Sequence, residues 1–292
     1  MTPPRRIVVA GALVVVALAC VVGLRLTSVS RSVAAAQRAL DAADLVTAET
    51  AWRAVLAEDP GRAEALYGLG WTLHLAAETD GAREAFQQCV EAHPESPLGY
   101  KGLGSVAMGE GNPTLARRRF EEALARAPGD TAVRHSLALL DLLTGRADEA
   151  VVTFEALAAE EPTHAAFQQA LGEALVAVGR PEEALEAATR AVELAADDDR
   201  GRALAQLTRA RAILAATSGR VDTADCAGTA PPVYAWLEEA DRALDEAEAT
   251  QVPLPDLVAA RRAIRQRRGA VDDQCPGARV SPESLGRKLP DG

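Results

Sequence analysis

Apolar positions along the chain follow two regimes. From Ile7 to Leu24 they form one unbroken run, IVVAGALVVVALACVVGL, eighteen residues without a charge between Arg6 and Arg25. At a rise of about 1.5 Å per residue, a helix of that length spans about 27 Å, the thickness of a bilayer core. The run predicts a transmembrane anchor over 7–24 behind a short tail over 1–6. The stretch Ala17-Leu18-Ala19-Cys20 is a loose lipobox and leaves open a lipoprotein acylated at Cys20; a cleaved secretory signal is the third reading. The apolar continuation Val21-Val22-Gly23-Leu24 weighs toward the retained helix.

Beyond the anchor, small, aromatic and turn-forming residues recur at a fixed interval. Ala48, Ala82, Ala116, Ala150 and Ala184 are 34 residues apart, and four residues after each come Trp52, Phe86, Phe120, Phe154 and then Ala188. Ala36, Gly70, Gly104, Ala138 and Gly172 hold the same register, as do Pro60, Pro94, Pro128 and Pro162. The physics behind the pattern is that of paired antiparallel helices. Small residues let the helices approach, an aromatic fills the wedge behind them, and proline, unable to continue a helix, sets the exit. The turns Gly111-Asn112-Pro113, Gly145-Arg146 and Gly179-Arg180-Pro181 separate the two helices of a pair.

Small, aromatic and proline positions at this period resemble the tetratricopeptide repeat, carried here by Leu69-Gly70 with Ala82 and Phe86, Leu103-Gly104 with Ala116 and Phe120, and Leu171-Gly172 with Ala184. The resemblance implies an all-α, right-handed α-solenoid of helical hairpins. Its frame places units at 29–62, 63–96, 97–130, 131–164 and 165–198, within a region spanning 25–198. The first unit, with Ala where Leu-Gly is usual, reads as a degenerate cap next to the membrane. A helical stretch over about 200–217 and a displaced partner over 233–249 predict a sixth hairpin split by a loop over 218–232. A capping helix over 255–268 follows, completing a region over 199–268, and the tail over 269–292 is expected to be mostly disordered. Arg261, Arg262, Arg265, Arg267 and Arg268 cluster on the capping helix; a solvated face is the simpler reading, with an acidic partner or anionic lipid as its rival.

Composition narrows the function. With 31 basic and 42 acidic residues the net charge is -11, so a nucleic-acid partner held by phosphate contacts is not expected. Cys226 and Cys275 lie in polar, loop-like sequence, and a disulfide between them is expected if the domain faces an oxidising compartment. With that bond, the domain after the anchor is placed outside the cytoplasm of a single-pass cell-membrane protein. Cys89 falls at a core position.

No phosphate loop, dinucleotide glycine motif, C-x-x-C pair or H-E-x-x-H helix occurs, so no enzyme, cofactor or metal is expected. The four histidines, His74, His93, His135 and His164, are not spaced to share a metal. In the resembled family the first helix of each pair lines a groove that takes peptides or folded partners. Carried onto this chain, those inner positions are Tyr67, Trp71 and His74, then Lys101 and Met108, then His135, Leu139 and Leu142, then Gln169 and Glu173. The expected function is therefore a membrane-tethered scaffold or assembly factor for a protein or peptide, with a structural subunit of an envelope complex and a lipoprotein adaptor as alternatives. The carboxylate clamp that some members use for chaperone tails is not expected, because the chain's one asparagine, Asn112, is in a turn and Lys101 stands alone.

Overall fold

A computed structural model describes residues 30–218, 220 and 225–276. Among these residues there are thirteen helices and no strand. The predicted anchor over 7–24 and Cys20 lie outside the described residues. No helix among those described is long and apolar enough to cross a membrane.

The chain divides into two compact units, one up to Val133 and the other from Arg134. In the first, α1 (30–41) and α2 (Leu45–Glu58) pair, followed by α3 (Ala63–Leu75) with α4 (Thr79–Ala92) and α5 (Pro97–Gly109) with α6 (Pro113–Arg126). Ala36, Ala48, Trp52, Val55 and Ala65 form one core cluster, and Leu73, Ala82, Phe86, Leu103 and Val106 form the next. The second unit takes in most of α7 (Thr131–Leu143), then α8 (Ala147–Glu160), α9 (Ala165–Ala177), α10 (Pro181–Leu194) and α11 (Asp199–Ala216). It closes with α12 (Cys226–Ala249) and α13 (Leu257–Gln274). The recurring small and aromatic positions are the innermost atoms of both units. Ala48, Ala82, Ala116, Ala150 and Ala184 are fully buried, as are Phe86, Phe120 and Phe154, with Trp52 1% exposed.

The turns within the first five helix pairs are built the same way. Ala43, Ala77, Gly111, Gly145 and Gly179, 34 residues apart, adopt left-handed backbone with φ between 56° and 80°. The next residue's N–H then reaches back over the last helical turn, as in Glu78 to the Leu73 carbonyl and Asn112 to the Ala107 carbonyl, both at 2.9 Å. This arrangement satisfies carbonyls that the ending helix leaves open. Asp44 and Asn112 cap the following helices by accepting from the N–H groups of Thr47 and Leu115, each at 3.1 Å. Glycine adopts a positive φ without the clash that a Cβ brings, so the alanines at 43 and 77 are the strained members of the series. Ala77→Gly is expected to raise stability by about 1 kcal/mol, and Gly111→Ala to lower it by a similar amount. Urea midpoints of the two variants, moving in opposite directions, check this.

The C-terminal region differs from expectation at two boundaries. The predicted loop over 218–232 is shorter, because α12 begins at Cys226 and runs through Pro231 and Pro232. Those prolines lack an N–H and so weaken the first turns. The start is held instead by Asp225, whose carboxylate accepts from the Gly228 N–H at 3.0 Å, and by the bond from Cys226 to Cys275. At the other end α13 continues six residues past Arg268 to Gln274, into the tail over 269–292 that was expected to be mostly disordered apart from the region of Cys275. Val271 and Cys275 are buried there against α12, in the cluster that includes Tyr234, Leu237 and Leu244. Apolar contact from a distant helix supplies what the polar local sequence does not.

Candidate functional site

All ten inner positions expected from the sequence are half-buried, covered in part by neighbouring helices. In the first unit, α3 and α5 carry five of them. The rings of Tyr67 and Trp71, one helical turn apart, stack at 6.5 Å with planes 13° apart, and the His74 ring lies 5.4 Å from Trp71. Lys101 Nζ sits 5.7 Å from the centre of the Tyr67 ring and 3.4 Å from Asp130. Burial, with the Asp130 carboxylate adding to it, pushes the Tyr67 hydroxyl up to about 12, so it stays a neutral donor at physiological pH. Met108 is the last residue but one of α5, also half-buried. The same part of α3 is a packing surface too, since Tyr67 stands 5.7 Å from the core ring of Phe86.

In the second unit the expected residues are drawn further inward. His135 lies 5.6 Å from Phe154 and 5.5 Å from Phe167, and His164 stacks on Phe167 at 4.0 Å. Leu139 and Leu142 pack on the same cluster. The Thr208 hydroxyl oxygen on α11 is 3.4 Å from both Gln169 Nε2 and Glu173 Oε1, with Arg211 4.0 Å from Glu173. Burial raises the Glu173 carboxyl above its usual range, and Arg211 opposes the shift. These two polar side chains therefore serve the packing of α9 on α11.

His135 carries a pH consequence. Burial, with the charge of His164 as a smaller contribution, holds its imidazole below the free-histidine value of 6.5. A depressed folded pKa means that stability is fully present above the unfolded value and is lost as pH falls from 6.5 toward the lower folded value. Urea midpoints that fall from pH 7.5 to pH 5, with a smaller fall in His135→Gln, are the expected result. An equal fall in both proteins assigns the loss to other groups.

The first unit also contains a cavity of about 400 Å³ between α1 and α3. Gln37, Leu40 and Asp41 line it from α1, and Glu64, Tyr67, Trp71 and Leu75 from α3. Trp52 reaches it from behind because position 68 is glycine: a Cβ there would overlap the indole ring. The Trp52 indole nitrogen is buried with no hydrogen-bond partner. Only Tyr67 and Trp71 of this set were expected from the sequence. The signal for the others was in the register, since Gln37 and Leu40 stand 34 residues before Trp71 and His74. Reading the first unit as a degenerate cap hid them.

Three of the five clustered arginines on α13 turn inward. Arg261 binds Asp245 and Glu248, both at 2.7 Å, Arg268 binds Asp241 at 2.7 Å, and Arg267 donates to the Thr217 carbonyl. Arg262 and Arg265 are exposed. Among the described residues no group of three His, Cys, Asp or Glu side chains is placed to hold a metal.

Two sequence profiles, both described as tetratricopeptide repeat, match residues 33–97 and residues 107–161 and 141–209, together more than half of the chain. No curated protein matches it by sequence. Among solved structures, it is similar to a thermophilic TPR protein of Thermus thermophilus, at 22% identity and a TM-score of 0.56, covering 62% of this chain and 98% of that one. It also resembles PilW, a type IV pilus biogenesis factor, at 16% identity and a TM-score of 0.60 over 77% of this chain and 99% of that one. A chain of the APC/C hetero-tetramer Cut9-Hcn1 aligns at 18% identity and a TM-score of 0.65, over 82% of this chain and 42% of that one. At these identities the likeness concerns the fold.

Proposed function

We propose that this chain, which belongs to the tetratricopeptide-repeat family, is a membrane-tethered scaffold that holds a protein or peptide partner and carries out no chemistry of its own. The observation that carries the reading is on α3 and α5, where Tyr67, Trp71, His74, Lys101 and Met108 are half-buried and Tyr67 and Trp71 line a cavity. Aromatic and methionine side chains held this way offer large contact area at little further cost in side-chain freedom. The apolar run over 7–24 supplies the tether, in a single-pass cell-membrane protein. The bond between Cys226 and Cys275 supports a domain outside the cytoplasm, because disulfides persist in oxidising compartments.

Photo-crosslinking in native membranes tests the reading. A crosslinker at position 71 is expected to trap a protein partner, whereas one at Val152, exposed on α8 and 67% accessible, is not. Trp71→Ala is expected to lower capture at least about ten-fold with unchanged helicity, the size of a binding hot spot. A partner trapped at Val152 and not at position 71 would count against this face.

A further inference from the structure

We infer that the cavity between α1 and α3 receives a basic side chain, arginine or lysine, from an extended segment of the protein partner. The inference rests on the scaffold reading and adds the chemistry of what is held. Three features of the cavity point to such an occupant.

The first is charge. Asp41 and Glu64 are exposed carboxylates on opposite walls. Asp41 accepts from Gln37 Nε2 at 2.8 Å, which leaves most of its acceptor capacity open. Glu64 pairs with Arg62 at 3.2 Å, an exposed contact of the kind that water screens and an entering cation can exchange. The chain's net charge of -11 draws a cationic segment toward it at long range.

The second feature is the aromatic wall. Tyr67 and Trp71 present nearly parallel faces, with Leu40 and Leu75 beside them. A cation is attracted to such faces, most strongly to indole, and the methylene stem of arginine or lysine suits the leucines. Lys101 over Tyr67 already shows the same geometry within this protein.

The third is the unmet donor. Trp52 lines the cavity and its buried N–H has no partner among the described residues, so an occupant that carries an acceptor suits the site better than one that carries none. One basic residue in an extended peptide carries all three parts: a cationic head, an apolar stem and a backbone carbonyl. An acidic segment would meet two carboxylates, and an apolar one would bring no cation to them.

The test uses the full chain in nanodiscs with its tryptophan side chains labelled with ¹⁵N. Four blocked octapeptides of alanine, glycine and serine carry a central Arg, Lys, Leu or Glu. The Arg peptide is expected to shift the indole signals of Trp52 and Trp71 and to bind at least ten-fold more tightly than the Glu peptide. Asp41→Asn combined with Glu64→Gln, both at exposed positions, is expected to abolish that preference with unchanged circular dichroism. Preference for the Leu or Glu peptide, Arg binding indifferent to the double substitution, or no shift of the Trp52 signal by any peptide would each overturn the assignment. Those outcomes leave the scaffold reading to be judged by crosslinking at position 71.

Discussion

Phe86→Ala is expected to lower the unfolding free energy by about 3–5 kcal/mol, read as a shift of the urea midpoint. The size follows from what surrounds the ring. Phe86 is fully buried, and the walls nearest it are the backbones of Gly70 on α3 and Gly102 on α5, where an added Cβ would overlap the ring atoms. Backbone does not rotate into a void as side chains do, so the cavity left by the truncation stays open. The same contact can be stressed from the other side. Gly102→Ala pushes a methyl group into the ring and is expected to cost about 1–3 kcal/mol by overpacking. Combining Gly102→Ala with Phe86→Leu should cost less than the two changes added together, because the smaller side chain makes room for the methyl group. Strict additivity would show that the two positions are not in contact.

Removing the disulfide is expected to have an effect of comparable size. Cys226 and Cys275 are 49 residues apart in sequence, with their Cα atoms at 5.4 Å. A cross-link closing a loop of this length removes enough disorder from the unfolded chain to stabilise the fold by roughly 4 kcal/mol, with measured losses of about 2–5 kcal/mol in comparable cases. The Cys226→Ser and Cys275→Ser double variant should therefore unfold at distinctly lower urea. Amide exchange should rise most at the start of α12 and the end of α13. The start of α12 is the more sensitive, since Pro231 and Pro232 deprive it of two helical N–H donors. Unchanged exchange there would mean that the packing of Val271 against α12 suffices without the bond.

The two experiments probe features that were unequally legible in the sequence. The packing around Phe86 was visible as an aromatic with small residues in register, because each unit repeats the same local solution. The helix starts were less so. Asp44 and Asn112 are ordinary capping residues, yet the equivalent positions 78, 146 and 180 are Glu, Arg and Arg, whose side chains make no cap. The left-handed turn was legible at Gly111, Gly145 and Gly179 and silent at Ala43 and Ala77, where tertiary packing imposes a conformation that alanine does not prefer. The arginines of α13 illustrate the opposite limit. A run of like charges reads as a solvated face, but Asp241, Asp245 and Glu248 on α12 recruit Arg261 and Arg268 to hold the last helix.

By itself, the sequence determined the period, the helix pairs and the identity of the innermost side chains. Those depend on residues within about one repeat of each other, and repetition reinforces the signal. Only the tertiary structure decided which inner positions remain open and which are spent on packing. Gln169 and Glu173 turn to Thr208 on α11, nearly 40 residues away, while Tyr67 and Trp71 keep one side toward a cavity. It also decided that Trp52, read as core alone, reaches that cavity past Gly68. Solvent exposure is set by which neighbouring helix covers a residue, and that neighbour lies too far along the chain for local pattern to specify.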